Sequence, residues 1–271
     1  MTFHFVPITD LVLMQKWFIL LFLIQSLTAA ASDRPIIFLI GDSTVRNGRG
    51  DGAGALWGWG DFLGDHFDTN KVRVVNRALG GRSSRTFLSE GLWDKVKKEL
   101  RPGDFVLMQF GHNDGGEIAK GDRPRASLKG NGDESKEVTV EKTGATEVVH
   151  TYGWYLRRYI ADTKAAGATP IVLSPIPRNI WKEGKVARAS NDYGKWAAEA
   201  AKNSGALFVD LNELIARRYE ELGEPRVASE LFTTKDHTHT TRAGAQLNAD
   251  CVAIGLRDLA DSPFKALLRP N

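Results

Sequence analysis

The sequence predicts an α/β fold, a parallel sheet with helices on both faces. Short β-type runs alternate with helical patterns along the chain, the signature of strand–helix–strand units. The runs are also continuously apolar rather than alternating, as strands buried on both faces require. No internal repeat interrupts this order.

The first run, Ile36-Ile37-Phe38-Leu39-Ile40, stops at Gly41. Further strands are expected at 72–75, 105–110, 170–173 and 206–209, giving five. Helical patterns fall at 57–67, 92–100, 152–166, 191–204, 211–222 and 241–259. Segment 115–146 is long, polar and without a sustained period, and a loop of that length is usually functional or disordered. It reads as an excursion near the site rather than a domain boundary.

With 271 residues, 42% of them hydrophobic, the chain is long enough to bury a full core. The 36 basic and 33 acidic residues leave a net charge of +3, too balanced to make nucleic acid or an acidic membrane the main partner. The single cysteine, Cys251, excludes an intramolecular disulfide and lies in an apolar helical pattern, reading as a buried small hydrophobe.

Residues 17–24 read WFILLFLI, a run too short to span a bilayer comfortably. Lys16 precedes it, and Ala29-Ala30-Ala31 supplies the small residues a signal peptidase accepts. Residues 1–31 are therefore expected to be a secretory signal peptide, and 32–271 a single domain delivered to the periplasm or the medium. The stretch before Lys16 carries no positive charge, which makes Met14 an alternative start.

Three short motifs stand where open parallel sheets bind ligands, beyond the carboxyl ends of strands. Gly41-Asp42-Ser43 follows the first strand, Gly111-His112-Asn113-Asp114 follows the third, and Asp236-His237-Thr238-His239 precedes the last helix. Acyl transfer by a serine needs a base within hydrogen-bond reach, a carboxylate to orient that base, and donors aimed at the developing oxyanion. Ser43, His239 and Asp236 supply the first three parts, with one local turn bringing Asp236 and His239 together. Each residue also has a plainer reading. Ser43 alone reads equally as a helix N-cap, Asn113 and Asp114 as turn residues, and His237 and His239 as surface histidines. Their joint occurrence at strand ends favours the catalytic reading. The Gly-x-Ser-x-Gly elbow is absent, because position 45 is valine.

The strings GDST, WGWGDFL, VVNRALGGRSSRTF, FGHNDGG and DHTHTTRAGA run from 41 to 245. Together they resemble the four blocks of the SGNH (GDSL) hydrolases, and most closely the rhamnogalacturonan acetylesterases of carbohydrate esterase family twelve. Thr44 stands where the wider family name has leucine, as is usual in this subfamily. The resemblance implies a three-layer α/β/α sandwich of the flavodoxin-like type with a five-stranded parallel sheet. It implies Ser43, Asp236 and His239 as the catalytic triad, and Ser43, Gly81 and Asn113 as the oxyanion hole, with Gly80 as the fallback for Gly81.

The substrate implied is an acetylated polysaccharide or oligosaccharide, handled by a monomer without metal or cofactor. Arg46, Arg49, Arg82, Arg85, Arg178 and Lys182 lie in loops expected to border the site. Arg82 and Arg178 are the substrate-binding candidates, because the planar guanidinium fork suits the carboxylates of a galacturonate polymer. Trp57, Trp59 and Trp181 offer stacking surfaces, although burial tendencies favour packing roles for Trp57 and Trp59. Acetylxylan or broad-specificity acetylesterase, thioesterase and lysophospholipase activities remain alternatives on the same fold. A metallophosphoesterase is disfavoured: no histidine lies two places after Asp42, and His112-Asn113 inverts that family's Asn-His pair. A non-catalytic carbohydrate-binding module would not need an assembled triad.

Overall fold

The structure is a computed structural model and describes residues 34–270. The leader expected at residues 1–31 lies outside the described residues.

The expected sheet forms from β1 (Ile36–Gly41), β2 (Arg73–Asn76), β3 (Phe105–Gln109), β6 (Thr169–Leu173) and β9 (Leu207–Val209). They lie in the order β2-β1-β3-β6-β9, and every neighbouring pair is parallel; between β6 and β9 in the chain a small antiparallel pair, β7 (Trp181–Lys182) with β8 (Lys185–Val186), stands apart from this sheet. The sheet has the flavodoxin-type doubly wound order, whose switch point lies between β1 and β3. Ligands bind at that crevice in such sheets, and Gly41 sits opposite Gln109 at its lip.

Residues of β1 alternate between two cores. Ile37 and Leu39 join Leu107, Ile171 and Leu173 on one face, covered by α5 (Leu211–Leu222) and α6 (Arg242–Asp258). Ile36, Phe38 and Ile40 join Val106, Met108 and Val172 on the other. That face is covered by α1 (Ser84–Ser89), α2 (Leu92–Glu99), α3 (Tyr152–Ala165) and α4 (Tyr193–Ser204). The result is the three-layer α/β/α sandwich, with cores between each helical layer and the sheet.

Three features differ from the sequence reading. The helix expected at 57–67 is instead two short 3-10 turns, Trp59–Asp61 and Leu63–His66. Gly58, Gly60 and Gly64 each weaken an α-helix by about 1 kcal/mol. Gly58 and Gly60 are there for contact: a Cβ on Gly58 would collide with the Val45 backbone, and one on Gly60 would lie 2.7 Å from the Val45 carbonyl. Trp59 is buried and packs this turn onto the sheet, as its plainer reading held. Next, α1 was not anticipated. It is a single short helix capped by Ser83, whose Oγ accepts from the Thr86 amide at 3.1 Å. Finally, segment 115–146 is irregular but feeds an antiparallel pair, β4 (Ser135–Thr139) with β5 (Thr146–His150). Only Val138 of β4 is buried, so this strand has little apolar signal to read.

Candidate active site

The sheet register brings the nucleophile turn and the third-strand motif together. Ser43 lies two residues past Gly41, and Asn113 four past Gln109, on adjacent parallel strands. The third contributor is β11 (Asp236–Thr240), which pairs with β10 (Phe232–Thr233). Trp57 clasps this hairpin, its amide donating to the Thr240 carbonyl at 2.9 Å. The Asp236–His239 motif thus stands on a short strand rather than in a loop. Its local curl comes from Asp236 Oδ1, which accepts the amides of Thr238 at 2.7 Å and His239 at 2.9 Å.

Ser43 Oγ lies 2.7 Å from His239 Nε2, and His239 Nδ1 lies 2.7 Å from Asp236 Oδ2. A base and its orienting carboxylate are therefore in line behind the hydroxyl. Burial pushes the Asp236 carboxyl up, but the hydrogen bonds from His239 and Thr238 outweigh it and hold the group below its ordinary value. It is a carboxylate at neutral pH, as the orienting role requires.

Ser43, Gly81, Asn113 and His239 line one pocket of about 390 Å³. Asn113 is almost wholly buried, and its Nδ2 donates one hydrogen to the Arg82 carbonyl at 2.9 Å. That bond fixes the amide plane and leaves the second hydrogen without a protein acceptor among the described residues. The backbone N–H groups of Ser43 and Gly81 also have no such acceptor, and the same holds for Gly80. Gly81 adopts φ +79°, a left-handed conformation that favours glycine.

Behind Ser43 runs a buried polar relay that motif reading did not anticipate. Trp59 Nε1 donates to Gln109 Oε1 at 2.9 Å, and Gln109 Nε2 donates to Thr44 Oγ1 at 2.6 Å. Thr44 Oγ1 donates to Asp42 Oδ1 at 2.7 Å, while Asp42 Oδ2 faces His112 Nδ1 at 3.4 Å. His112 Nε2 lies 3.0 Å from the Ile176 carbonyl. Burial raises the Asp42 carboxyl, yet His112 and Thr44 together hold it below its usual range. Asp114 is the opposite case. Burial lifts it to about 6, although Ser84 and Ser127 donate to it. Among the described residues no three His, Cys, Asp or Glu side chains gather as a metal-binding group.

The expected basic residues divide. Arg82 pairs with Glu90 at 2.8 Å beside the pocket, and its carbonyl orients Asn113. Arg178 donates to Thr238 Oγ1 and to the His112 carbonyl, and lines a separate cavity of about 270 Å³. Arg46 bonds the carbonyls of Asn76 and Arg49. Arg85 does not face the pocket. It is buried, pairs with Glu147, and donates to the carbonyls of Ile118 and Ala126, pinning segment 115–146 to the body. The residues missed by sequence reading are Arg123 and Arg125, which that segment delivers to the pocket wall.

With this geometry in place, comparison identifies the family. Residues 39–247 match the GDSL-like lipase/acylhydrolase family model. The chain belongs to that family. A rhamnogalacturonan acetylesterase of Emericella nidulans is 34% identical over 82% of this chain and 88% of the relative. A probable rhamnogalacturonan acetylesterase of Bacillus subtilis is 33% identical over 82% and 93%. Among solved structures, the YxiM protein of Bacillus subtilis aligns with a TM-score of 0.66 at 25% identity, covering 83% of this chain and 56% of that one. An acetylxylan esterase of Geobacillus stearothermophilus aligns at a TM-score of 0.52 over 82% and 93%, and at 18% identity it shows the fold alone. The family member described here is a carboxylic-ester hydrolase.

Proposed function

We propose that this enzyme is an exported carbohydrate acetylesterase that removes O-acetyl groups from rhamnogalacturonan. The observation that carries the mechanism is the Ser43–His239–Asp236 chain, with both links at 2.7 Å. The substrate class is supported by the two relatives above 30% identity, both named for rhamnogalacturonan. Export rests on the apolar run at 17–24 and the alanines at 29–31.

In this reading His239 Nε2 takes the Ser43 proton as Oγ attacks the acetyl carbonyl carbon. The resulting oxyanion is held by the amides of Ser43 and Gly81 and by the second hydrogen of Asn113 Nδ2, none of which has a protein acceptor among the described residues. The tetrahedral species collapses, the C–O bond to the sugar breaks, and the imidazolium returns its proton to the departing sugar oxygen. Water, deprotonated by His239, then attacks the acetyl-serine, and acetate leaves as Ser43 is reprotonated. Asp236 stabilises the imidazolium in both halves.

The test is acetate release from acetylated rhamnogalacturonan beside acetylated xylan, with Ser43→Ala as control. Release from the pectic polymer, lost in the variant, is the expected result. Release from xylan alone would retain the serine mechanism and discard the substrate. N-terminal sequencing of the exported protein checks the leader.

A further inference from the structure

Arg123 and Arg125 are the arginines that line the acyl pocket among the described residues. Arg125 Nη1 donates to the Gly81 carbonyl at 3.2 Å. The Arg123 guanidinium lies so close to Gly81 that a Cβ there would collide with it. Neither arginine has a carboxylate within ion-pair distance among the described residues. By contrast Arg77, Arg82, Arg85, Arg157 and Arg188 are all paired with acids. Asp42 and Asp114 favour the Arg125 charge only from beyond ion-pair distance, so two like charges held side by side repel each other and a bound anion relieves that cost. Burial first, and the Arg123 charge after it, weaken Arg125's hold on its proton.

The placement is built rather than incidental. Ser83 Oγ, at the cap of α1, donates to the Arg125 carbonyl at 2.5 Å, and buried Arg85 holds the carbonyl of Ala126 next to it. Both arginines also line a second cleft, of about 280 Å³, that continues away from the acyl pocket along Lys142. Of the two acids on that cleft, Glu90 is neutralised by Arg82, which leaves Asp122. The arginine pair therefore stands at the junction of the two cavities. A polysaccharide whose acetylated residue reaches Ser43 would run its flanking chain past that junction.

We infer that Arg123 and Arg125 form a receptor for a uronate carboxylate of the polymer, seated beside the acyl pocket. The inference rests on the substrate reading above, and it assigns to segment 115–146 the selection of an acidic chain. Guanidinium forks bind carboxylates through two parallel N–H···O bonds, and a charge-assisted contact of this kind supports tenfold or greater discrimination.

The experiment is a calorimetric titration of the full chain with unacetylated trigalacturonate and with its carboxyl-reduced counterpart. The parent is expected to bind the acidic trimer at least tenfold more tightly. Arg123→Gln and Arg125→Gln should each shrink that ratio several-fold, and the double variant should abolish it, with Arg123→Lys recovering part. Arg123 is exposed, so its variant should fold normally by circular dichroism even if Arg125→Gln does not. Equal binding of the two trimers, or a ratio that survives the Arg123→Gln change untouched, overturns the receptor. The outcomes separate from those of the acetate assay. Arginine-dependent binding without acetate release from rhamnogalacturonan would keep the receptor and remove the proposed substrate. Acetate release without a carboxylate preference would do the reverse.

Discussion

The acyl pocket has two walls that are held in different ways. One carries Ser43 and Asn113 on turns that leave β1 and β3 directly and His239 on β11 itself, so hydrogen-bonded strands set their positions. The other carries Arg123 and Arg125 on an irregular segment, pinned from beneath by Arg85 and Ser83. Bond-making chemistry tolerates little displacement, and reacting groups held on rigid elements keep their alignment. Recognition of a flexible polymer tolerates more and can sit on a loop that a scaffold merely anchors. The difference teaches that the first wall should fail through rate and the second through selectivity.

The sharpest break of the first wall is Ser43→Ala, expected to lower kcat on a small acetyl ester by about 10⁶-fold, with His239→Ala nearly as severe because triad members act as a unit. Both variants should keep the parent's far-ultraviolet circular dichroism. Asn113→Ala should cost about 10²–10³ in kcat, the loss of one oxyanion donor. A steady-state rate within threefold of the parent would remove Asn113 from the oxyanion hole and leave it as a brace for Arg82.

The first wall was legible in the sequence because each part is a short motif at the end of an apolar run. Gly41-Asp42-Ser43 follows a strand whose burial on both faces left no ambiguity, and Gly111–Asp114 follows another. The second wall was not. Arg123 and Arg125 lie in a polar stretch without period, and only the folded path shows them meeting Gly81, some forty residues earlier. Arg85 misled for the same reason. Its neighbours in sequence belong to a site motif, whereas its guanidinium turns inward to hold the distant segment. The 57–67 region failed on the glycines. A helical apolar pattern was present, but Gly58 and Gly60 answer to contact with Val45, which periodicity cannot express.

Between the two walls lie two buried acids with opposite titration behaviour, and they sharpen the contrast in stability. His112→Ala strips the partner facing Asp42 Oδ2 and leaves a buried carboxylate held by Thr44 alone. Leaving a buried charged acceptor without a facing donor costs about 3 kcal/mol or more, read as a lower urea midpoint at pH 7. An unchanged midpoint would show that the pair contributes nothing to folding.

Asp114 gives the smaller effect and the more informative one, since it joins the two walls by accepting from Ser84 on α1 and from Ser127 on the anchored segment. Its carboxyl has an ordinary value of 3.8 and is raised to about 6 in the folded protein, burial being the main cause. Between those two values the folded chain holds a proton that the unfolded chain has released. Raising the pH through that window therefore weakens folding, by on the order of 3 kcal/mol in total, and the loss is complete above about 6. Asn at this position cannot ionise, and its Oδ1 can still accept from the serines. The thermal midpoint of Asp114→Asn, measured against the parent from pH 4 to pH 7, should shift in the variant's favour as the pH rises. A gap constant across that range would mean that Asp114 keeps its charge when folded, with the serine donors outweighing burial. The joint between the walls would then be an ionic one that acid loosens.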